Sequence, residues 1–290
     1  MEDYKQAPAK QEIESFITKI KSQVKENKTK DNLITLFNLI DLTSLNSNDT
    51  TIKIKEMTEK VNSFNSIFPD YKNVAAICVY PSLVPTVKNN LTAKNINIAA
   101  VGACFPSSQT FLSVKAAECE LTVNKGADEI DIVISIGSFL EQDHKKVASE
   151  ISIIKQAIGE AHLKVILETG ELVNTDNIYL ASIISMESGA DFIKTSTGKS
   201  PISATPEAVY TMCCAIKEYY KKTGKKIGIK PSGGMSISED ALVYFLTVKE
   251  VLGEEWLNNK LFRLGASRLA NSILSDLYKF DSRDEEVIYF

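Results

Sequence analysis

Two lysines stand apart from the other charges of this 290-residue chain. Lys194 lies in FIKTSTGK and Lys230 in GIKPSGG, preceded by Phe-Ile and Gly-Ile respectively. That context predicts positions inside strands, whereas Lys145, Lys221 and Lys222 read as surface charges. An unpaired buried ammonium is costly. On neighbouring strands, about 4.8 Å apart, two ammonium groups repel and lower the pKa of at least one. A neutral amine near pH 7 is the nucleophile that attack on a carbonyl requires. The alternative is that each lysine pairs with a carboxylate. Asp131 in GADEIDIV, flanked by Ile130 and Ile132, could be that ion-pair partner or relay protons through a water, and the two roles are compatible. Asp41 in LIDLT has similar flanks and is a further candidate for orienting a lysine.

Three glycine clusters suggest an anion site: Gly198-Lys199, Ser232-Gly233-Gly234 and Gly265-Ala266-Ser267. Glycine lets backbone N–H groups approach a phosphate closely, and a helix N-terminus favours the negative charge. Metal chemistry is not expected. The two histidines, His144 and His162, fall in helical or loop segments, and a zinc site normally needs several converging ligands. No cofactor is expected either.

Positioning these groups requires a series of strands. Apolar β-like runs recur at Leu39–Leu45, Val74–Tyr80, Ile96–Val101, Glu129–Ile134, Leu163–Glu168, Phe192–Thr197, Lys226–Pro231 and Phe262–Gly265. Continuously apolar runs such as VAAICVY suit strands buried on both faces of a parallel sheet. Helical patterns lie between them: Leu112, Lys115, Cys119 and Val123 before Gly126, and Thr205 as N-cap ahead of Pro206. Strict alternation allows a closed barrel or an open doubly wound sheet. Eight runs, with no GxGxxG after the first, favour a single (β/α)8 barrel of the α/β class. In such barrels the reactive residues sit at the C-terminal strand ends.

The expected organisation is a charged helical extension over 1–30, the barrel over 31–280 and a tail over 281–290. Ile13, Phe16, Ile17, Ile20 and Val24 form a helical stripe that packs on the body or closes the bottom of the barrel. The composition is 44% hydrophobic and 24% charged, with net charge −4 and both signs interspersed, so neither nucleic acid nor membrane is an expected partner. The lysine- and glutamate-rich start lacks the apolar core of a signal peptide. Five scattered cysteines form no even framework, and a cytoplasmic location is expected.

At these residues the chain resembles 2-deoxyribose-5-phosphate aldolases. LIDLTSLN, VAAICVYPSLV, GADEIDIV, LKVILETGEL, GADFIKTSTGK, IKPSGGM and LFRLGAS carry the resemblance, in family order, from about residue 33 to 280. It implies a metal-free class I aldolase acting on a small phosphorylated sugar. Lys194 would form the Schiff base, Lys230 would lower its amine pKa and Asp131 would serve in proton transfer. Gly198, Lys199, Ser232, Gly233, Gly234, Gly265 and Ser267 would hold the phosphate. Cys78 matches a family position near the site, and Tyr289 is similar to the tail tyrosine by which some members reach theirs. The chain departs at Cys104, where glycine or asparagine is usual, and at Met235, where a β-branched residue is common. Rival readings are another Schiff-base barrel enzyme, transaldolase-like or a keto-acid aldolase, and a barrel retained only for binding. Barrels of this kind often form dimers, so a homodimer is a candidate assembly, although no long exposed apolar stripe marks an interface.

Overall fold

The computed structural model describes Tyr4, residues 6–283 and residues 285–290. Eight parallel strands alternate with helices: β1 (Ile40–Thr43), β2 (Ala76–Val79), β3 (Asn97–Gly102), β4 (Glu129–Val133), β5 (His162–Ile166), β6 (Phe192–Lys194), β7 (Gly228–Lys230) and β8 (Leu264–Ala266). The helices are α1 (Lys10–Asn27), α2 (Lys30–Asn38), α3 (Thr51–Ile67), α4 (Val84–Asn90), α5 (Leu112–Asn124), α6 (Ile136–Leu140), α7 (His144–Ile158), α8 (Thr175–Glu187), α9 (Pro206–Thr223), α10 (Ser238–Leu252) and α11 (Arg268–Phe280). Strand order is β7-β6-β5-β4-β3-β2-β1-β8. Parallel bridges Ile229↔Phe262 and Ser232↔Gly265 join the last edges and close a (β/α)8 barrel.

The strands that carry the two lysines are shorter than the apolar runs that contain them. The run expected over Phe192–Thr197 is strand only to Lys194, and that over Lys226–Pro231 only from Gly228 to Lys230. Beyond each lysine the chain turns out of the sheet to build a loop. Helix starts are set by capping: the Thr205 hydroxyl accepts from Ala208 N–H, with Pro206 next in line, and the Asn174 side chain accepts from Asn177 N–H.

Strand alternation divides the interior into two environments. Outward residues such as Ile77, Val79, Ile130, Ile132, Val165, Ile193 and Ile229 join the helices in one apolar core. Inward on β2 and β3, Ala76, Cys78, Ala99 and Val101 form a small separate cluster with Leu45. On the other strands charge enters the interior, as Asp41, Glu129, Asp131, Lys164, Lys194 and Lys230, with Arg263 just before β8.

Helix α1 buries Ile13, Ile17 and Ile20 against α9 and α10, with Phe16 stacked on Tyr210 at 4.2 Å between centroids. It therefore packs on the body from outside, the first of the two expected placements, rather than closing the barrel bottom. The tail folds back over α3 and α11: Tyr289 and Phe290 N–H groups donate to Asn271 Oδ1 at 3.0 and 2.9 Å. Among the described residues no helix is long and apolar enough to cross a membrane.

Candidate active site

Two register levels meet inside the closed barrel, Lys164 lying beside Phe192 and Lys194 beside Ile166. Lys194 pairs with Lys230 across β6 and β7, and Asp131 pairs with Lys164 across β4 and β5. All four are essentially buried, as are Asp41, Glu129 and Arg263. Asp131 is the hub. Its Oδ2 accepts from Lys194 Nζ and from Lys230 Nζ, each at 2.8 Å, and its Oδ1 accepts from Lys164 Nζ at 2.9 Å. Lys230 also lies 2.5 Å from Asp41 Oδ2, and Lys164 lies 2.5 Å from Glu129 Oε2. Below them Arg263 donates to Asp41 Oδ1 at 2.6 Å and to Glu129 Oε1 at 2.8 Å.

The electrostatics separate the lysines. Burial lowers the Lys194 amine and the Lys230 charge lowers it further, against the pull of Asp131, so it rests below the ordinary lysine value. Burial also disfavours the charge on Lys230, but Asp131 and Asp41 together outweigh it and hold that ammonium protonated. Lys164 is raised likewise, burial being overcome by Asp131 and Glu129. Burial pushes the carboxyls of Asp131, Asp41 and Glu129 up, yet the surrounding cations keep all three below the usual carboxylate range. A lowered amine beside a permanent cation and an ionised carboxylate suits nucleophilic attack on a carbonyl. The two readings of the lysines thus coexist, since both touch carboxylate and only one is lowered.

Above this cluster opens a cavity of about 450 Å³, between the ends of β1, β6, β7 and β8. Gly198, Lys199, Ser232, Gly233, Gly234, Gly265 and Ser267 all line it, together with Thr43, Asn46 and Arg268. Gly233 and Gly234 have φ of +75° and +76°, in the left-handed region where a side chain is strained. A Cβ on Gly233 would also meet Ser203 Oγ at 2.5 Å. Ser267 precedes α11 without a side-chain cap, leaving its first N–H groups available to an anion. Lys199 Nζ bridges to the Leu45 carbonyl, spanning the loops after β6 and β1.

Cys78 is buried among the small residues of β2 and β3, and burial pushes its thiol up, so it forms wall rather than nucleophile. Tyr289 does not line the cavity. Its ring packs edge-on against Phe68 at 5.2 Å and its hydroxyl donates to the Lys60 carbonyl at 2.6 Å, because the aromatic face of α3 offers more burial than the open mouth. His162 is half exposed, 3.8 Å from Glu129, and His144 starts α7. Among the described residues no cluster of His, Cys, Asp or Glu could hold a metal. A larger hollow, about 760 Å³, lies between α10, α11 and the tail, but its Lys28 is already paired with Glu239 and Asp276 at 2.7 Å each.

Sequence reasoning missed Lys164, Glu129 and Arg263. All three were legible in principle as charges within apolar strand runs, the same signal that marks Asp131. It also missed Glu168, whose carboxylate accepts from Thr197 N–H at 3.1 Å and from its hydroxyl at 2.5 Å, bracing the turn beyond Lys194. The buried hydroxyls of Ser196 and Thr169 have no hydrogen-bond partner among the described residues.

Comparison with known proteins agrees with this geometry. Residues 35–249 match the model of the DeoC/LacD family aldolases. The chain is 41% identical over 256 residues to the human deoxyribose-phosphate aldolase, covering 85% of this chain and 80% of that one. It is 41% identical over 249 residues to the Bos taurus enzyme of the same name, covering 82% and 78%. The tetrameric deoxyribose phosphate aldolase of Aeropyrum pernix shares the fold, with TM-score 0.66 and 23% identity over 95% of this chain and 99% of that one. This chain belongs to the DeoC/LacD aldolase family.

Proposed function

We propose that the protein is a class I aldolase that reversibly cleaves 2-deoxy-D-ribose 5-phosphate to D-glyceraldehyde 3-phosphate and acetaldehyde. The observation that carries this reading is the lowered, buried amine of Lys194, 2.8 Å from Asp131 and in register with the protonated Lys230. The relatives' names supply the sugar, and the cavity lined by Lys199 and the glycine loops supports its phosphate.

Lys194 attacks C1 of the open-chain aldehyde, and loss of water from the carbinolamine leaves a protonated iminium. Asp131 stabilises this new cation as it did the lysines before. Deprotonation of the C3 hydroxyl breaks the C2–C3 bond, and the electron pair enters the iminium to give an enamine on Lys194. Held well below the usual range by the cations around it, Asp131 is a weak base by itself, so a water relays the proton. Glyceraldehyde 3-phosphate leaves; protonation of the enamine at its carbon and hydrolysis release acetaldehyde. The small walls of Ala76, Cys78 and Ala99 suit a two-carbon fragment. A homodimer is part of this proposal.

Incubation with the sugar phosphate and borohydride, followed by peptide mapping, tests it. A two-carbon reduced adduct on the Lys194 peptide is expected, and Lys194→Ala is expected to lose on the order of 10⁴-fold or more in activity. An adduct on Lys230 instead would reverse the two lysines. A three-carbon adduct, or none with the sugar intact, would overturn the reading in favour of another carbonyl donor or a binding barrel.

A further inference from the structure

Arg263 and Glu129 lie too deep in the barrel to touch a substrate, yet they complete a closed set of charges. Among the described residues the ion-paired network inside the barrel has Asp41, Glu129 and Asp131 as its anions and Lys164, Lys194, Lys230 and Arg263 as its cations. Four cations face three anions. An enclosed, poorly solvated site disfavours the unmatched charge, and the simplest relief is the loss of one proton. Arg263 cannot lose it, because guanidinium stays protonated in proteins. Lys230 has Asp41 at 2.5 Å and Asp131 at 2.8 Å; Lys164 has Glu129 at 2.5 Å and Asp131 at 2.9 Å. Lys194 has Asp131 alone, shared with both of the others. It is the ammonium with least compensation.

We propose that Arg263 and Glu129 form a positioning pair that sets the protonation state of Lys194 by fixing the net charge of the barrel interior. The inference rests on the reading of Lys194 as the Schiff-base lysine. Arg263 engages Asp41 through Nη1 and both Glu129 oxygens, at 2.8 and 3.2 Å, and so occupies the carboxylate capacity that would otherwise hold the Lys194 proton. Few other titratable groups face the cluster. Cys78 comes from β2; β3 contributes no titratable group, only Ala99, Val101 and Asn97, whose amide donates to Glu129 Oε1 at 2.6 Å; and His162 approaches Glu129 from the barrel's bottom. Glu168 and Lys199 lie beyond the C-terminal end of β6, engaged with Thr197 and Leu45.

The signs are fixed by the count of charges. Removing the Arg263 charge leaves three cations against three anions, so Lys194 keeps its proton and its pKa rises. Removing the Glu129 charge leaves four against two, so the pKa falls. Removing both restores the excess of one. The test is the pH dependence of borohydride trapping of acetaldehyde at Lys194 in the full chain, read by peptide mass. Arg263→Met should move the acid limb upward by about one pH unit, roughly tenfold less trapping at a fixed pH on that limb. Glu129→Gln should move it downward, the double variant should return it close to the parent, and Arg263→Lys should hold it in place. Damage to structure alone would accumulate in the double variant and lower trapping at every pH. An unmoved limb in Arg263→Met, or a double variant displaced further than either single one, overturns the inference while leaving the Schiff base intact. If Arg263→Met does not fold, Glu129→Gln and the double variant decide the sign. A parent that never traps at Lys194 would overturn the Schiff-base reading and this inference with it.

Discussion

A cation at the N-terminus of a helix sits against the macrodipole and is unfavourable there unless an anion joins it. Arg268 occupies that place at the start of α11, at the edge of the cavity proposed for the phosphate, and its side chain makes neither ion pair nor hydrogen bond to any described residue. Its side chain is exposed and Lys199 lines the same cavity, so a phosphate dianion would meet two cations as well as backbone N–H groups. Arg268→Met is expected to raise the KM for deoxyribose 5-phosphate on the order of 10-fold, with kcat changed much less. That is the pattern of lost binding shared by ground and transition states. The same variant should narrow the preference for phosphorylated over unphosphorylated deoxyribose. Equal loss on both sugars would show that Arg268 serves the loop rather than the phosphate.

On β7 and β8 glycine stands beside charge on the inner face, Gly228 below Lys230 and Gly265 above Arg263, which leaves room for the neighbouring side chains. Gly228 lies beneath Lys230, and a Cβ there would come within 2.2 Å of the Phe192 ring. That ring fills the barrel beneath Lys194 and lies 5.8 Å from the Arg263 guanidinium. Gly228→Ala is expected to destabilise the protein by about 2 kcal/mol or more, a fall in melting temperature of roughly 2–4 °C per kcal/mol. Shortening the ring in Gly228→Ala/Phe192→Leu should recover part of the loss. A Gly228→Ala protein that melts with the parent would mean that β7 yields more readily than its packing suggests.

At the scale of the whole molecule, the interior charges couple folding to pH. Asp41, Glu129 and Asp131 have folded pKa values below their unfolded ones, so their contribution is present above about pH 4 and is lost as pH falls through the folded values. Lys164 and Lys230 are raised; their contribution is present below about pH 10.4 and is lost as pH rises further. Lys194, lowered, acts in the opposite sense, costing stability at neutral pH and relieving it above the ordinary lysine value. Urea midpoints are therefore expected to be nearly flat between about pH 6 and 9 and to drop below about pH 5. A midpoint that rose on acidification would contradict the ion-pair network.

Much of this protein was determined by sequence alone. Eight apolar runs in strict alternation with helical patterns fit a closed barrel, because parallel strands buried on both faces need helices outside them. Lys194, Lys230 and Asp131 stood out because charge within such runs has to be paired or used, and the glycine clusters marked the loops that must approach an anion closely. What the tertiary structure decided were relations between distant segments. Whether Lys194 or Lys230 is the lowered amine depends on Asp41, Lys164, Glu129 and Arg263, contributed by β1, β5, β4 and the approach to β8. No local pattern encodes that count of charges. Tyr289 could not be placed from the tail either, since its position is dictated by the aromatic surface of α3, more than 200 residues earlier in the chain. Local periodicity specifies which face each side chain takes; only closure of the barrel specifies which charges meet inside it.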